Sequence, residues 1–430
     1  VAGLAAGTKL AQAKLPVCVL EAGPALGGRA RSFIDQTTCD AVDNGQHALM
    51  GCYDEFLALL ERVGQTNALT EGAPRIPLWS AERGIHALDC PRLPAPLHFA
   101  VGLLRYRQLS VRERLSVALA GHRLVNQPQG DATVSEMLDA AGQNARQRNA
   151  FWDPVVWATL NAPPNQASAA LLAAVVQRAL MGSYDESRFL LPRVPLSELY
   201  ADPACKFIEE RGGEVRCRTR VDEIDTEGGL CVRSQGEKLP AAAVILAVPP
   251  VALSRIGPAK LHPDPALHAV TPIVSTTLWL DRPLKDEVPD FLGLVESETH
   301  WLFRVDRLHA AKREDSSTAQ DGERIACVRS GATDWAQMPR PEIAERVWRD
   351  VQRAIPSCKE TQVSHSLVVK ELAATLSPEP QLQALRPGLE TGIPGVWRAG
   401  DWTNTGLPAT LESAALSGHR AADQCLRELQ

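Results

Sequence analysis

Two clusters, at opposite ends of the 430-residue chain, carry residue types suited to holding a dinucleotide. In the first, Glu21 follows the apolar run 17–20, which reads as a short buried strand. An acid at such a strand end, 18 residues after Gly3, is placed to accept hydrogen bonds from a ribose hydroxyl pair. Ala22 comes next. Gly27-Gly28-Arg29 then sets two residues without Cβ beside a guanidinium, so backbone can approach a pyrophosphate while Arg29 supplies charge-assisted bonds. The plain alternative is a surface turn with a solvated arginine. In the second cluster, Trp397-Arg398-Ala399-Gly400-Asp401 reads as a strand that ends in a turn with an acid. A helix is expected to begin near 408–409, where Pro408 has no N–H to lose, and its unpaired N–H groups would face an electron-rich edge. Ala409, Ala414, Ala415, Ser417 and Gly418 keep one face of that helix small enough for a second backbone to come close.

The elements that position these clusters are α/β in texture. A small-residue helix from Gly3 to about Lys14 precedes the 17–20 strand. The strand and two glycines that open a G-x-G-x-x-G turn are absent from this sequence, so Gly3 can serve only as its last glycine. Residues 91–188 read as mostly helical, with Pro-rich breaks. Strand-like runs return at 243–248, 271–281 and 301–305, and 341–355 is an amphipathic helix. The expected layout is a cofactor domain from 1–75, 200–260 and 385–430. It is interleaved with a substrate domain from 76–199 and 261–384, helical at 95–190.

Bulk properties narrow the function. A net charge of -6 gives no reason to expect nucleic acid as a partner. The ten cysteines show no C-x-x-C pair and no zinc-ligand spacing, so they read as reduced thiols of a cytoplasmic protein, with no metal site. No apolar run approaches the length of a membrane span. Residues 97–124 do mix apolar positions with Arg105, Arg107, Arg112, Arg114 and Arg123. That pattern suits either a helix pair packed on the protein or peripheral contact with an anionic membrane, here its inner face.

LEAGPALGGRARSF (20–33) and AGDWTNTGLPATLESAALSG (399–418) together resemble the FAD-dependent amine oxidase and carotenoid desaturase superfamily. Further segments resemble more narrowly the hydroxysqualene dehydroxylases, the squalene-associated FAD-dependent family of hopanoid pathways. These are VDNGQHALMGCYDEFLALLERVG (42–64), LPAPLHFAVGLLR (93–105), WDPVVWATLNAPPNQASA (152–169), LLPRVPLSELYADPA (190–204) and GDWTNTGLPATLESA (400–414). The resemblance implies a discontinuous Rossmann-like FAD-binding domain with an interleaved α+β substrate domain, like that of monoamine oxidase and p-hydroxybenzoate hydroxylase. Glu21 would then bind the adenosine ribose, with Gly27, Gly28 and Arg29 along the pyrophosphate. Asp43 and Gly45-Gln46 would pass the isoalloxazine, and Val221 would meet the adenine through its backbone. Asp401, after Gly400, would hold the ribityl and phosphate region, with Ala409 and Thr410 at the flavin ring. No flavin-linking Cys or His stands in the family's usual place, so the FAD is expected to be non-covalent.

The implied reaction removes the allylic hydroxyl of hydroxysqualene and adds hydride to give squalene, a C30 isoprenoid. It needs a proton for the leaving oxygen, a long apolar tunnel and an electron donor that reduces the flavin. His47, with a pKa naturally near neutrality, is the first candidate proton donor, and Asp43 either orients it or binds ribityl hydroxyls. A purely structural His47, bonded to a backbone carbonyl, is the competing reading. Trp152, Asp153, Trp157 and Asn161 are expected to line the substrate cavity, with packing as the alternative. Rival functions are a carotenoid-type desaturase, an amine or protoporphyrinogen oxidase, and a non-catalytic prenyl-lipid carrier. Amine oxidation fits less well, because none of the four tyrosines lies in the C-terminal segment.

Overall fold

Parallel strand pairs build the cofactor half from distant parts of the chain. In the computed structural model, which describes residues 1–226, 228–285, 287–309 and 322–429, strand Cys18–Leu20 pairs in parallel with Glu214–Arg216. Strand Val244–Leu246 likewise pairs with Val396–Arg398. Helix Ala2–Gln12 packs between these pairs through its small residues. A Cβ on Gly3 would lie 3.2 Å from the Ala247 Cβ, and one on Gly7 would lie 3.2 Å from Val19 Cγ2. The same helix lies against the C-terminal helix, Leu411–Leu429, so closely that a Cβ on Gly418 would fall 2.2 Å from the Ala2 carbonyl oxygen. The small face read from the sequence is therefore a helix crossing with almost no side chain between the backbones.

The other half is a seven-stranded sheet in the order Val363–Leu376, Val270–Leu280, Glu323–Arg329, Trp301–Arg304, Phe291–Leu294, Arg75–Ser80, Gly84–Asp89. Every neighbouring pair is antiparallel except Phe291–Leu294 with Arg75–Ser80. Helix Arg340–Ala354 buries Ile343, Val347 and Val351 with sheet residues Leu278 and Ile325. A layer of short helices, including Leu97–Arg105, Val111–Asn126, Asp153–Leu160 and Ala169–Val175, forms its own core around Leu103, Val117, Trp152 and Leu172. Helices Val111–Asn126 and Val134–Ala140 start at reciprocal capping boxes, Ser110/Glu113 and Thr133/Glu136. Three five-residue π-helical turns, Arg148–Trp152, Val176–Leu180 and Ser197–Ala201, interrupt the helical runs.

The hairpin of Arg75–Ser80 and Gly84–Asp89 and the 14-residue strand Val363–Leu376 were not among the strands read from the sequence. The C-terminal helix begins at Leu411 rather than near 408–409, so Pro408 precedes it instead of occupying its first turn. Residues 310–321, inside the 261–384 piece, lie outside the described residues.

Candidate active site

Glu21 closes its strand with the carboxylate turned back on the chain. Its Oε1 accepts a hydrogen bond from Gly23 N at 2.7 Å, and its carbonyl accepts from Thr219 N at 2.9 Å. The acid thus lies against residues 218–221, with Val221 starting the strand Val221–Asp225, while Ala22 is exposed beside it. Gly27 and Gly28 have φ of +101° and +62°, a region strained for any residue with a side chain. A Cβ at Gly27 would meet the Ala30 carbonyl at 2.8 Å, whereas nothing lies within 4 Å of one at Gly28. Two groups not foreseen in the sequence hold this turn. The buried Tyr200 hydroxyl donates to the carbonyl of Gly27 at 3.0 Å and to that of Ala30 at 2.5 Å. Asn44 donates to the Arg29 carbonyl and accepts from Arg31 N at 3.2 Å.

The two ends of the chain meet at Arg29. Its Nη2 is 2.5 Å from Asp401 Oδ1, and its Nη1 donates to the Ala374 carbonyl at 2.9 Å. The start of helix Ala2–Gln12, just before Gly3, lies within charge–charge range of Arg29, Asp401 and Glu21. Gly400, at φ +141°, donates its N–H to Ser417 Oγ at 2.8 Å, and a Cβ there would strike the Trp402 ring at 2.6 Å. The loop that follows is clamped by buried Arg386, which donates to the carbonyls of Asp401 at 2.8 Å, Thr403 at 2.6 Å and Leu407 at 2.7 Å. Desolvation pulls the Arg386 pKa down to about 10. After Ala409, the Thr410 Oγ1 accepts from Ser413 N at 3.3 Å and caps the C-terminal helix. Arg386 lies outside both motifs, and only its type hinted at a role.

Between these ends runs the segment Asp43–His47. Asp43 is buried; its Oδ1 accepts from Ser32 Oγ at 2.6 Å and from Leu196 N at 3.0 Å, so Asp43 is bonded away from His47. Desolvation raises its pKa to about 6. His47 Nδ1 lies 2.7 Å from the Gly45 carbonyl. A carbonyl only accepts, so the proton sits on Nδ1 and Nε2 presents a lone pair. Burial holds the His47 pKa below the usual histidine value, which keeps the ring neutral near pH 7. The buried Gln46 Nε2 has no hydrogen-bond partner among the described residues, and neither has Ser275 Oγ, which a Cβ on Gly45 would approach to 3.4 Å. Open backbone at Gly28, an unpaired amide at Gln46 and the Arg29–Asp401 pair are groups that would fit a dinucleotide.

A cavity of about 940 Å³, counting its open mouth, adjoins this region and reaches Leu407, Pro408 and Thr410. Its walls are almost wholly apolar, including Met50, Ile76, Leu78, Phe189 and Trp301. Helix Asp153–Leu160 lends Pro154, Val155, Ala158 and Thr159, and Phe151 precedes them. The four residues expected to line the cavity from this segment do not. Trp152 is buried and donates to Gln143 Oε1 at 3.0 Å, and Trp157 packs against His300 with ring centroids 4.7 Å apart and planes tilted by 34°. Asn161, at the helix end, bonds to the Thr271 carbonyl, Thr375 and Gly331 N. Asp153 is half-buried, and desolvation raises its pKa. At 100° per residue, positions 151, 154, 155 and 158 share the cavity face while 152, 156 and 160 face the helical core.

One corner of the cavity is polar. Buried Glu412 accepts from Phe56 N at 3.0 Å and from Glu55 N at 3.1 Å, so it caps helix Asp54–Arg62, which has no side-chain cap of its own. Burial nevertheless pushes its carboxyl above the usual range. Arg178 lies 3.5 Å from Glu412 and donates to the Cys52 carbonyl at 2.8 Å.

The family model for flavin containing amine oxidoreductases matches residues 1–426. The chain is 30% identical over 442 residues to the hydroxysqualene dehydroxylase of Sinorhizobium fredii, covering 100% of this chain and 97% of that one. It is also 30% identical over 441 residues to that of Rhodopseudomonas palustris, covering 99% and 96%. Among solved structures, an oxidoreductase from Methanosarcina mazei superposes with a TM-score of 0.73 at 16% identity, covering 98% of each chain. The cyclohexylamine oxidase of Brevibacterium oxydans gives 0.64 at 16% identity, covering 100% and 97%. These neighbours fix the fold as that of the FAD-binding amine oxidases. With both sequence ends joined at Arg29 and Asp401 and a full-length match to the family, the chain belongs to the flavin-containing amine oxidoreductases, among the hydroxysqualene dehydroxylases.

Proposed function

We propose that the chain is an FAD-dependent hydroxysqualene dehydroxylase, which replaces the allylic hydroxyl of hydroxysqualene by hydrogen to give squalene. The observation that carries this reading is the apolar cavity that ends at Pro408 and Thr410, within the segment assigned to the flavin. A hydrocarbon substrate needs such walls, and a redox site needs its ligand brought to that end.

In this reading Glu21 and Val221 hold the adenosine end of FAD. Gly3, Gly27, Gly28 and Arg29 hold the pyrophosphate, Gly400 and Asp401 the ribityl region, and Gly45, Gln46, Ala409 and Thr410 the ring. When bound, FAD supplies the hydride chemistry. The residues of the chain orient the substrate and keep water away. His47, neutral with its proton on Nδ1, serves as a hydrogen-bond acceptor at Nε2 rather than as the proton donor. Asp43, with a pKa near 6, is the remaining candidate acid of the pair. In the same reading, residues 1–75, 200–260 and 385–430 form the cofactor domain and the intervening residues the substrate domain; the parallel pairs Cys18–Leu20 with Glu214–Arg216 and Val244–Leu246 with Val396–Arg398 support this.

The test is an anaerobic assay of FAD-loaded, reduced protein with hydroxysqualene, phytoene and a simple amine in separate arms. Squalene from hydroxysqualene is the expected product. Turnover of only phytoene or the amine would overturn the proposal in favour of a desaturase or an amine oxidase.

Peripheral membrane contact belongs to the same reading. Leu97, Leu104, Val111, Leu115 and Leu119 on helices Leu97–Arg105 and Val111–Asn126 are between 50% and 62% exposed. Arg105, Arg107, Arg112 and Arg123 are exposed among them, whereas Arg114 is bonded to the carbonyls of Leu104 and Leu109. Tyr106, between these helices, lines the cavity, so a lipid route from this surface is short. No helix among the described residues is long and apolar enough to cross a membrane. Flotation with vesicles that contain anionic lipid should exceed flotation with neutral vesicles, at about 1 kcal/mol per arginine near the surface. Equal recovery in both would argue against the contact.

A further inference from the structure

We propose that Tyr53 is a specificity-determining residue that, with Thr410, binds the hydroxyl of the alcohol substrate inside the apolar cavity. The inference rests on the reading of that cavity as the hydroxysqualene site. Among the described residues that line the cavity, most polar groups already have strong partners. The Tyr106 hydroxyl donates to the Ala150 carbonyl at 2.7 Å, and Thr159 Oγ1 donates to the Val155 carbonyl at 2.7 Å. Arg178 is held by the Cys52 carbonyl and Asp54 Oδ2, and Glu412 by two backbone N–H groups. Cys52 offers only a thiol, a weak donor.

Tyr53 differs from these. It is half-buried and lines the cavity together with Thr410. Thr410 is itself loosely held, with contacts of 3.3 Å to the Pro408 carbonyl and to Ser413 N. Two residues whose hydroxyls can each donate and accept thus line one hydrocarbon-like surface, which adjoins the segment assigned to the flavin. An alcohol fits there, since it can accept from one and donate to the other. The phenol remains protonated, because burial raises the Tyr53 pKa. A site built around a substrate hydroxyl rejects the analogue that lacks it, since its own polar groups are then left without partners.

The experiment measures equilibrium binding of hydroxysqualene and of squalene to the FAD-loaded protein, read from quenching of tryptophan fluorescence, for which Trp301 in the cavity wall is the reporter. Wild-type protein is expected to prefer the alcohol by about 10-fold or more. Tyr53→Phe should lower that preference by about 10-fold and leave the squalene Kd unchanged, because the wall keeps its shape. Tyr106→Phe lines the same cavity but loses a bond to backbone, so it should keep the wild-type preference. If Tyr53→Phe retains the wild-type preference while the wild type discriminates, the role of Tyr53 is overturned and the dehydroxylase reading stands. If the wild type itself binds both lipids equally, that reading of the cavity fails as well. Loss of preference in both variants alike would also overturn the inference, since it would mark a general disturbance of the wall.

Discussion

Replacing Gly418 by Val tests the helix crossing that joins the two ends of the flavin site. A β-carbon at this position would lie 2.2 Å from the Ala2 carbonyl oxygen and 3.0 Å from its carbon. Real contacts of this kind stay beyond 3.0 Å, so helices Ala2–Gln12 and Leu411–Leu429 must part by close to 1 Å. Neither can yield locally, because Ala5, Ala415, Ala421 and Ala422 along the crossing are all 0% exposed. Overpacking of this sort costs about 1–3 kcal/mol, and the two extra methyl groups of Val put it at the upper end. The better helix propensity of Val over Gly returns only about 0.4 kcal/mol, which leaves a loss of roughly 2.5 kcal/mol. With an unfolding entropy of about 2.1 cal/mol/K per residue, a chain of this length should melt about 3 °C lower. Flavin retention should fall further, since the crossing sets the approach of Arg29 to Asp401. The control is Gly388→Val, at an exposed position where an added Cβ meets nothing within 4 Å, with an expected change within about 0.5 kcal/mol. Thermal melts of apo and FAD-loaded protein decide it. A Gly418→Val protein that melts with the wild type and holds flavin equally well would refute the close crossing.

Two further outcomes follow from the site. Asp43 has a folded-state pKa of about 6, above the unfolded value near 3.9, so its favourable contribution is complete below about pH 4 and is lost as pH rises through about 6. Asp43→Asn keeps an acceptor for Ser32 and Leu196, and denaturant titrations should show it gaining on the wild type by on the order of 2 kcal/mol between pH 4 and 7; a difference flat with pH would contradict this. Arg29→Ala should change apo stability by less than about 1 kcal/mol, because the Arg29 side chain is 40% exposed, yet weaken FAD binding at least about 10-fold in a fluorescence titration. An unchanged Kd would remove Arg29 from the cofactor site.

The cofactor side of the fold was legible because its signals are local. Gly27-Gly28-Arg29 and Gly400-Asp401 declare turns that need left-handed backbone and charge, and the structure gives those glycines positive φ. The small face around Gly418 declares a close crossing in the same way. The substrate side was less legible, because direction matters there as well as residue type. Segment 152–161 was rightly associated with the cavity's neighbourhood, but the side chains chosen point elsewhere. Residues 152, 153, 157 and 161 lie on the faces of helix Asp153–Leu160 and its flanks turned from the cavity, while 154, 155 and 158 face it. The cavity wall also draws on residues near 50, 78, 106, 178, 301 and 408, which no periodicity links. Arg386 and Tyr200 act on backbone carbonyls far away in sequence, and such contacts leave no local pattern.

The carboxylate of Glu412 has a consequence for how the two ligands influence one another. It sits in the first turn of the C-terminal helix, two residues after Thr410, yet it holds the N-terminus of helix Asp54–Arg62 and with it Cys52 and Tyr53 in the lipid wall. Ordering of that turn by either ligand therefore lowers the entropic cost of seating the other. Binding linkage is reciprocal, so the factor by which lipid tightens flavin binding equals the factor by which flavin tightens lipid binding. Lipid affinity and flavin affinity would then share one coupling free energy, set at one helix end.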